Sequence, residues 1–363
     1  MTDVDRVKVL AYRAAAHGLD HRRSIDDLVD VASTLGVQDT PPGNADTSLA
    51  ARLETTGPIA ADAVASKALV LTWSLRGAPH LIAPDDLPLF TLGVQPEVGT
   101  RADLWRAPEH ALVDVEKAMV KALARGPRPK GEVSAAATAT LPEDLAPFCR
   151  ACNVHHPNEN PFRGAPLLGR IVLTSTAPVT LTLAKTWLGR DAKGDMAALR
   201  TELLLRYLHC YAPATPASFA QWAGITGADA KARWAAVKDA LVKVGRGYVL
   251  EEDRAELERP EPVTGIRLLP NKDAFLQARD RDILFPDPAH KKAVFPMLGG
   301  PGVVLSDAVP VATWRGAAKG KRYGVTVTAF AKLPKAAIAQ IEHEAERVAL
   351  ARGHEVASVT IAS

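Results

Sequence analysis

Two consecutive prolines, Pro41 and Pro42, limit this chain more tightly than any other feature, because they close the run Leu35-Gly-Val-Gln-Asp-Thr-Pro-Pro-Gly43. Proline has no backbone N–H and its ring clashes with the turn before it, so no helix continues through such a pair. Upstream, Ile25, Leu28, Val29 and Ala32 share one side of a helix expected over Ser24–Thr34. That helix has to stop at the prolines. Gln38, Asp39 and Thr40 are then polar groups at a helix end beside a stiff loop. Such a place suits chemistry, since a rigid element aims side chains and a loop leaves room for a ligand. Ordinary turn-forming residues produce the same pattern.

With 363 residues, 47% of them hydrophobic, the chain is long enough for several packed domains. No apolar run is long enough to span a bilayer, so no membrane partner is expected. Met1–Leu19 is a charged amphipathic stretch carrying Val7, Leu10 and Ala14, without the apolar centre of a signal peptide. Three cysteines are an odd number for a disulfide scaffold and point to a reducing, cytoplasmic location. A net charge of +3 is mild for a nucleic-acid binder. What matters is whether cations cluster on one face.

Several clusters fall at expected turns. Leu69–Ile82 alternates with a period of two around Arg-Gly-Ala-Pro, which reads as a hairpin with Arg76 at its tip and His80 just beyond. His80 is either a phosphate or lesion-strand contact or a histidine satisfied by backbone. Leu112, Val115, Met119 and Ala122 define a helix over Pro108–Arg125, followed by a basic turn with Arg128 and Lys130. Glu132–Ala139 is a helix or loop, Pro142–Cys152 a second helix, and Leu167–Leu181 one or two strands.

Thr201–Tyr211 reads as a helix, and Thr215 caps another that begins at Pro216 and stops at Gly224. A further helix over Ala228–Leu241 turns Trp234, Val237 and Leu241 inward and Lys231, Arg233 and Lys238 outward. Two helices joined by a tight glycine turn have helix-turn-helix geometry, and the basic hairpin with Lys243 and Arg246 suits a wing. A helical bundle with solvated lysines fits the same pattern. After a charged linker, Glu251–Glu261, come strands at Val303–Leu305, Val309–Trp314 and Tyr323–Phe330 and a closing helix over Pro334–Arg352. Between the last two strands, Arg315, Lys319, Lys321 and Arg322 form a flexible basic tip, suited to phosphate or simply to solubility.

Cys149-Arg-Ala-Cys152-Asn-Val-His155-His156 offers ligand types for zinc. Four ligands in eight residues are crowded for a tetrahedral site, and no second Cys-x2-Cys closes it. On a helix, Cys149, Cys152 and His156 equally describe one partly buried face. No metal or cofactor is assigned.

Assembled, the segments resemble the winged helix DNA-binding family that contains the AlkZ- and YcaQ-type bacterial DNA glycosylases. The resemblance rests on Leu35-Gly-Val-Gln38, Thr72-Trp-Ser-Leu-Arg-Gly-Ala-Pro-His-Leu81 and Tyr207-Leu-His-Cys-Tyr-Ala-Pro-Ala-Thr-Pro216. Phe219-Ala-Gln-Trp222, Leu268-Leu-Pro270, Arg279-Asp-Arg281, Val303-Val-Leu-Ser-Asp307 and Thr313-Trp-Arg315 add to it in order along the chain. It implies an α+β fold with three tandem winged helix units, at 1–107, 108–190 and 191–258, and a C-terminal β-rich domain at 259–363 around a DNA-sized channel. It further implies a monomer that binds double-stranded DNA and hydrolyses the N-glycosidic bond of alkylated, bulky or crosslinked purines in DNA repair. The glycosylases carry Gln-x-Gln or Gln-x-Asp after the Leu-Gly-aliphatic run. Gln38 matches the first position, Thr40 occupies the second, and Asp39 is a carboxylate one place early. The resemblance thus makes Gln38, Asp39 and Thr40 the catalytic candidates. The departure at Thr40 keeps open a non-catalytic DNA-binding protein, and a repurposed scaffold for a small molecule or protein is the third reading.

Overall fold

The computed structural model describes residues 5–96 and 109–362, an α+β protein. It divides into two compact units, one formed by Met1–Ala60, Arg206–Ser218 and Asp239–Ser363, the other by Ala61–Leu205 and Phe219–Lys238. Among the described residues no helix is long and apolar enough to cross a membrane.

The first unit is built on a sheet in the order Ile266–Leu269, Gly302–Ser306, Val309–Lys319, Arg322–Ala329, Val356–Ala362. Its first three pairings are antiparallel and the last is parallel. A parallel neighbour requires a crossover connection, and helix Lys335–Ala351 supplies it. The alternate residues Ile266 and Leu268, Ala312 and Trp314, and Tyr323, Val325 and Val327 meet Ile341, Ala345 and Val348 of that helix in one core. The indole N–H of Trp314 donates to the Leu269 carbonyl at 2.9 Å, which satisfies its polar atom inside that core. A smaller core joins Val9 and Tyr12 of helix Arg6–Ala16 to Ala212, Val249 and Leu257.

The second unit carries strands in the order Pro79–Ile82, Val70–Trp73, Ile171–Thr176, Val179–Leu183, Arg128–Pro129, all antiparallel. Helix Glu109–Leu123 buries Leu112, Val115 and Met119, as their spacing predicts; its expected start at Pro108 lies outside the described residues. Helix Pro216–Ala223 forms as expected, but the helix expected over Ala228–Leu241 spans Gly227–Ala236, and Leu241 opens the strand Leu241–Val244, which pairs with Gly247–Leu250 as the expected hairpin in the first unit. Thr215 caps the first of these helices through the Ser218 N–H at 3.1 Å.

Four further expectations are corrected. The helix over Ser24–Thr34 begins as a 3-10 turn, Ile25–Asp27, and continues as Leu28–Ser33. Three residues per turn rotate the apolar stripe, so Val31 and Ala32 are buried while Ile25 and Val29 are exposed. Pro142–Cys152 is not helical; it leads into a short hairpin, Phe148–Cys149 against Val154–His155. The basic tip is no loose loop either, because its strands pair without interruption to Lys319↔Arg322. The linker Glu251–Glu261 contains helix Arg254–Glu258, whose Leu257 is buried.

Candidate functional site

The Leu35–Gly43 run lies wholly in the first unit. Gly36 takes a left-handed backbone (φ +71°) that ends the helical segment. Val37–Gln38 follows as a short strand, so Gln38 sits on extended backbone rather than at the expected helix end, and its side chain is buried. Asp39 turns away toward helix Asn44–Ala50, where its Oδ1 accepts the Ala45 N–H at 3.1 Å. First-turn N–H groups have no partner within their helix, which is why a carboxylate settles there. The Thr40 carbonyl accepts from Asn44 Nδ2 at 2.9 Å. Its hydroxyl is buried and has no hydrogen-bond partner among the described residues.

The loop is pinned from far along the chain. Arg352, just past the closing helix, donates from Nε to the Thr47 hydroxyl at 2.7 Å, from Nη2 to Asn44 Oδ1 at 2.8 Å and from Nη1 to the Pro42 carbonyl at 3.3 Å. Gly43 (φ +85°) allows that approach, since a Cβ there would stand 2.8 Å from Arg352 Nη1. Asn44 also donates to Asn271 Oδ1 at 2.8 Å. Asp46 accepts the Ile59 and Ala60 N–H groups at 2.7 and 2.8 Å. Burial raises the Asp46 pKa against those two donors, and nearby Asp39 adds to the rise.

Beside the strand is a narrow recess of about 10 Å³ bordered by His17, Val37, Ser48, Arg52 and Asp273, close to the least volume that holds one water. His17 Nδ1 lies 2.7 Å from the Arg13 carbonyl and must carry the proton to bond it, which leaves Nε2 a buried acceptor without a partner among the described residues. Burial, reinforced by Arg52, lowers the His17 pKa to about 3, so the ring is neutral at ordinary pH. Arg52 and Asp273 form a two-pronged buried pair at 2.7 and 2.8 Å. Burial works against the Asp273 carboxylate, but Arg52 and its other donors hold it below its usual pKa. Sequence reading missed His17, Arg52, Asn271, Asp273 and Arg352. Only the chain order of Arg52 shortly after the motif offered any signal.

The expected cations fall into two groups. Lys231, Lys238, Lys243, Arg246, Arg315, Lys319, Lys321 and Arg322 are exposed; Lys321 pairs with Glu355 at 2.8 Å. Arg128 is half-buried in its strand, and Lys130 is held by Glu159 at 3.0 Å and lies over Trp73 and Phe162. Arg233, expected to face outward, is buried. Asp229 one turn earlier pairs with its Nε at 3.0 Å, and the Gly93 and Gln95 carbonyls accept from its Nη atoms. Arg76, in left-handed backbone at the hairpin tip, donates to the Trp222 carbonyl. His80 is buried with Nδ1 2.9 Å from the Ala78 carbonyl, the backbone-satisfied arrangement, and burial lowers its pKa to about 4.

In the second unit, Cys149, Cys152 and His156 place their ligand atoms within 4.8 Å of one another. His155 is not in that group; its Nδ1 lies 3.1 Å from the Ala146 carbonyl. Backbone donors at Cys152, with the His156 side chain, lower the Cys149 thiol pKa to about 7. Cys210 is buried, and burial raises its thiol pKa.

The comparisons with known proteins concern the chain as a whole. A family model described as DNA glycosylase AlkZ-like matches residues 31–351, which begins just ahead of the Gln38 strand and ends beside Arg352. The chain is 30% identical over 190 residues to an interstrand DNA cross-link repair glycosylase of Streptomyces sahachiroi. That match spans 48% of this chain and 49% of the relative, about half of each. The solved structure of Streptomyces sahachiroi DNA glycosylase AlkZ superposes with a TM-score of 0.79 at 21% identity, covering 99% of this chain and all of that one. With that family model matching residues 31–351, most of its length, the chain belongs to the AlkZ-like DNA glycosylase family.

Proposed function

We propose that the protein is a DNA glycosylase that hydrolyses the N-glycosidic bond of alkylated or bulky purines in duplex DNA, with Gln38 and Thr40 as its catalytic residues. The observation that carries this reading is the polar geometry of the motif. Asp39 is engaged at Ala45, whereas the Thr40 hydroxyl is buried with no hydrogen-bond partner among the described residues. The tandem arrangement is part of the reading: three winged helix units over 1–107, 108–190 and 191–258 and a β-rich domain over 259–363. It is supported by the repeated order of helices followed by an antiparallel hairpin.

An N7-alkylated guanine is cationic, so its bond to C1′ is weakened before any enzyme acts. As that bond breaks, its electron pair returns to the base and neutralises it. The sugar develops oxocarbenium character that positioned dipoles stabilise. In this reading the Gln38 amide carbonyl holds a water, the water oxygen bonds C1′, and its proton passes to solvent. Thr40 supplies a second contact to the same water or to the sugar. Asp39, anchored on helix Asn44–Ala50, positions the motif rather than meeting substrate. The exposed cations Lys231, Lys238, Lys243, Arg246, Arg315, Lys319 and Arg322 would contact phosphate, which carries most of the affinity of such complexes and makes it salt-dependent.

The test is release of free base from duplex DNA carrying an N7-alkylguanine. Wild type releases the base, Gln38→Ala loses roughly 100-fold or more, as removal of a positioned polar group does, and duplex affinity is unchanged in the variant. Tight, salt-dependent duplex binding with no release by wild type would leave a non-catalytic DNA-binding protein.

A further inference from the structure

The hairpin Phe148–Cys149/Val154–His155 has no interior. Its ladder is two residue pairs long, Phe148↔His155 and Cys149↔Val154, and Phe148 and Val154 remain 50% and 52% exposed. An isolated two-stranded hairpin is marginal in water, and small elements that lack a core are commonly stapled by a disulfide or a metal. Here the backbone is already folded around the two cysteines. Asn153 takes a left-handed conformation (φ +56°) directly after Cys152, and its N–H returns to the Cys149 carbonyl at 2.8 Å. That turn holds both thiols on one side.

The third member of the group is oriented from outside. His156 Nδ1 lies 2.8 Å from the Pro157 carbonyl, so Nδ1 carries the proton, and the buried Nε2 has no hydrogen-bond partner among the described residues other than the Cys149 thiol beside it. A ring nitrogen fixed through a backbone carbonyl, with the other left as a lone pair, is how metal-bound histidines are held. Ligand atoms around a tetrahedral zinc stand about 3.5–3.8 Å apart, given bonds of about 2.0–2.3 Å. The three here already lie within 4.8 Å and need to close by only about 1 Å.

We propose that Cys149, Cys152 and His156 bind a structural zinc ion that staples this hairpin, with water in the fourth position. The nearby carboxylate, Glu159, is committed to Lys130 and Arg163. His155 stays outside the shell. Zinc does not enter the glycosidic chemistry; it replaces the missing core of the hairpin, since metal binding energy becomes local folding energy.

The experiment uses the full chain, reduced, equilibrated with zinc chloride and freed of loose metal by gel filtration. Metal analysis then gives one zinc per chain for wild type, His155→Asn and Cys210→Ser. Cys149→Ser loses the metal, and His156→Asn weakens binding by more than the roughly 10- to 100-fold typical of losing an outer partner. Cobalt in place of zinc shows the near-ultraviolet thiolate-to-cobalt band. A readout that needs no variant is thiol labelling of wild type, in which Cys149 and Cys152 are protected by zinc and released by chelator. Substoichiometric zinc in wild type, or labelling that zinc does not slow, overturns the proposal. So does an intact mass lower by two hydrogens in the protein before reduction, which would make the pair a disulfide.

Discussion

The Gln38 loop and the cysteine hairpin are both short, polar and built around a tight turn, yet they are held by opposite means. The loop is clamped by residues hundreds of positions away: Arg352 reaches Pro42, Asn44 and Thr47, and Arg52 beside it is locked to Asp273. The hairpin is held chiefly by its own backbone and keeps its apolar side chains in solvent. A site enclosed by distant contacts has its polar groups aimed before any ligand arrives, which is what a positioned water requires. A site without such support needs its ligand to be ordered. The first therefore fits catalysis, and the second fits a structural ion.

The contrast can be broken most strongly at Arg52. Arg52→Ala leaves the Asp273 carboxylate buried and unpaired, and costs about 3–5 kcal/mol in urea unfolding; a loss below 1 kcal/mol would mean the loop region is not tied as described. Arg352→Ala removes three hydrogen bonds from a half-buried cation and costs about 1–3 kcal/mol. Its larger effect should be on base release, down roughly 10- to 100-fold with duplex binding retained, because the motif loses its alignment.

Acid should act on the same region. The folded state holds the His17 pKa near 3, below the ordinary histidine value of 6.5, so the unfolded chain binds the extra proton between those values. Stability is then complete above about pH 6.5 and falls as pH drops toward 3, by about 1.4 kcal/mol per pH unit from this residue. His17→Gln removes that slope, while His80, whose pKa is near 4, leaves a residual one of the same sign. The smallest effect is expected in the hairpin. Phe148→Ala should leave global stability within about 0.5 kcal/mol of wild type, because its ring is half exposed. A loss above 1 kcal/mol would show that the hairpin does pack.

Much of the element plan was readable in the sequence because it rests on local physics. Alternation marked the strands at Leu69–Ile82, helical spacing marked Leu112, Val115 and Met119, and Thr215-Pro216 marked a helix start. Reading failed where one local pattern served two structures. Cys149, Cys152 and His156 fit a helix face by spacing, yet a left-handed Asn153 brings them together on a hairpin. Arg233 sits at an outward helical position by periodicity, yet Asp229 and two backbone carbonyls make its burial favourable.

By itself, then, the sequence determined that a helix must stop before Pro41-Pro42, that Gln38, Asp39 and Thr40 lie together beside a rigid loop, and which family carries such a run. Only the tertiary structure decided which partners the polar groups around that run meet. The backbone donor that occupies Asp39 and the arginine that pins the loop depend on how helix Asn44–Ala50 and the end of helix Lys335–Ala351 are placed. A hydrogen bond is short and directional, so its partner is chosen by where the fold brings the atoms and not by residue type alone.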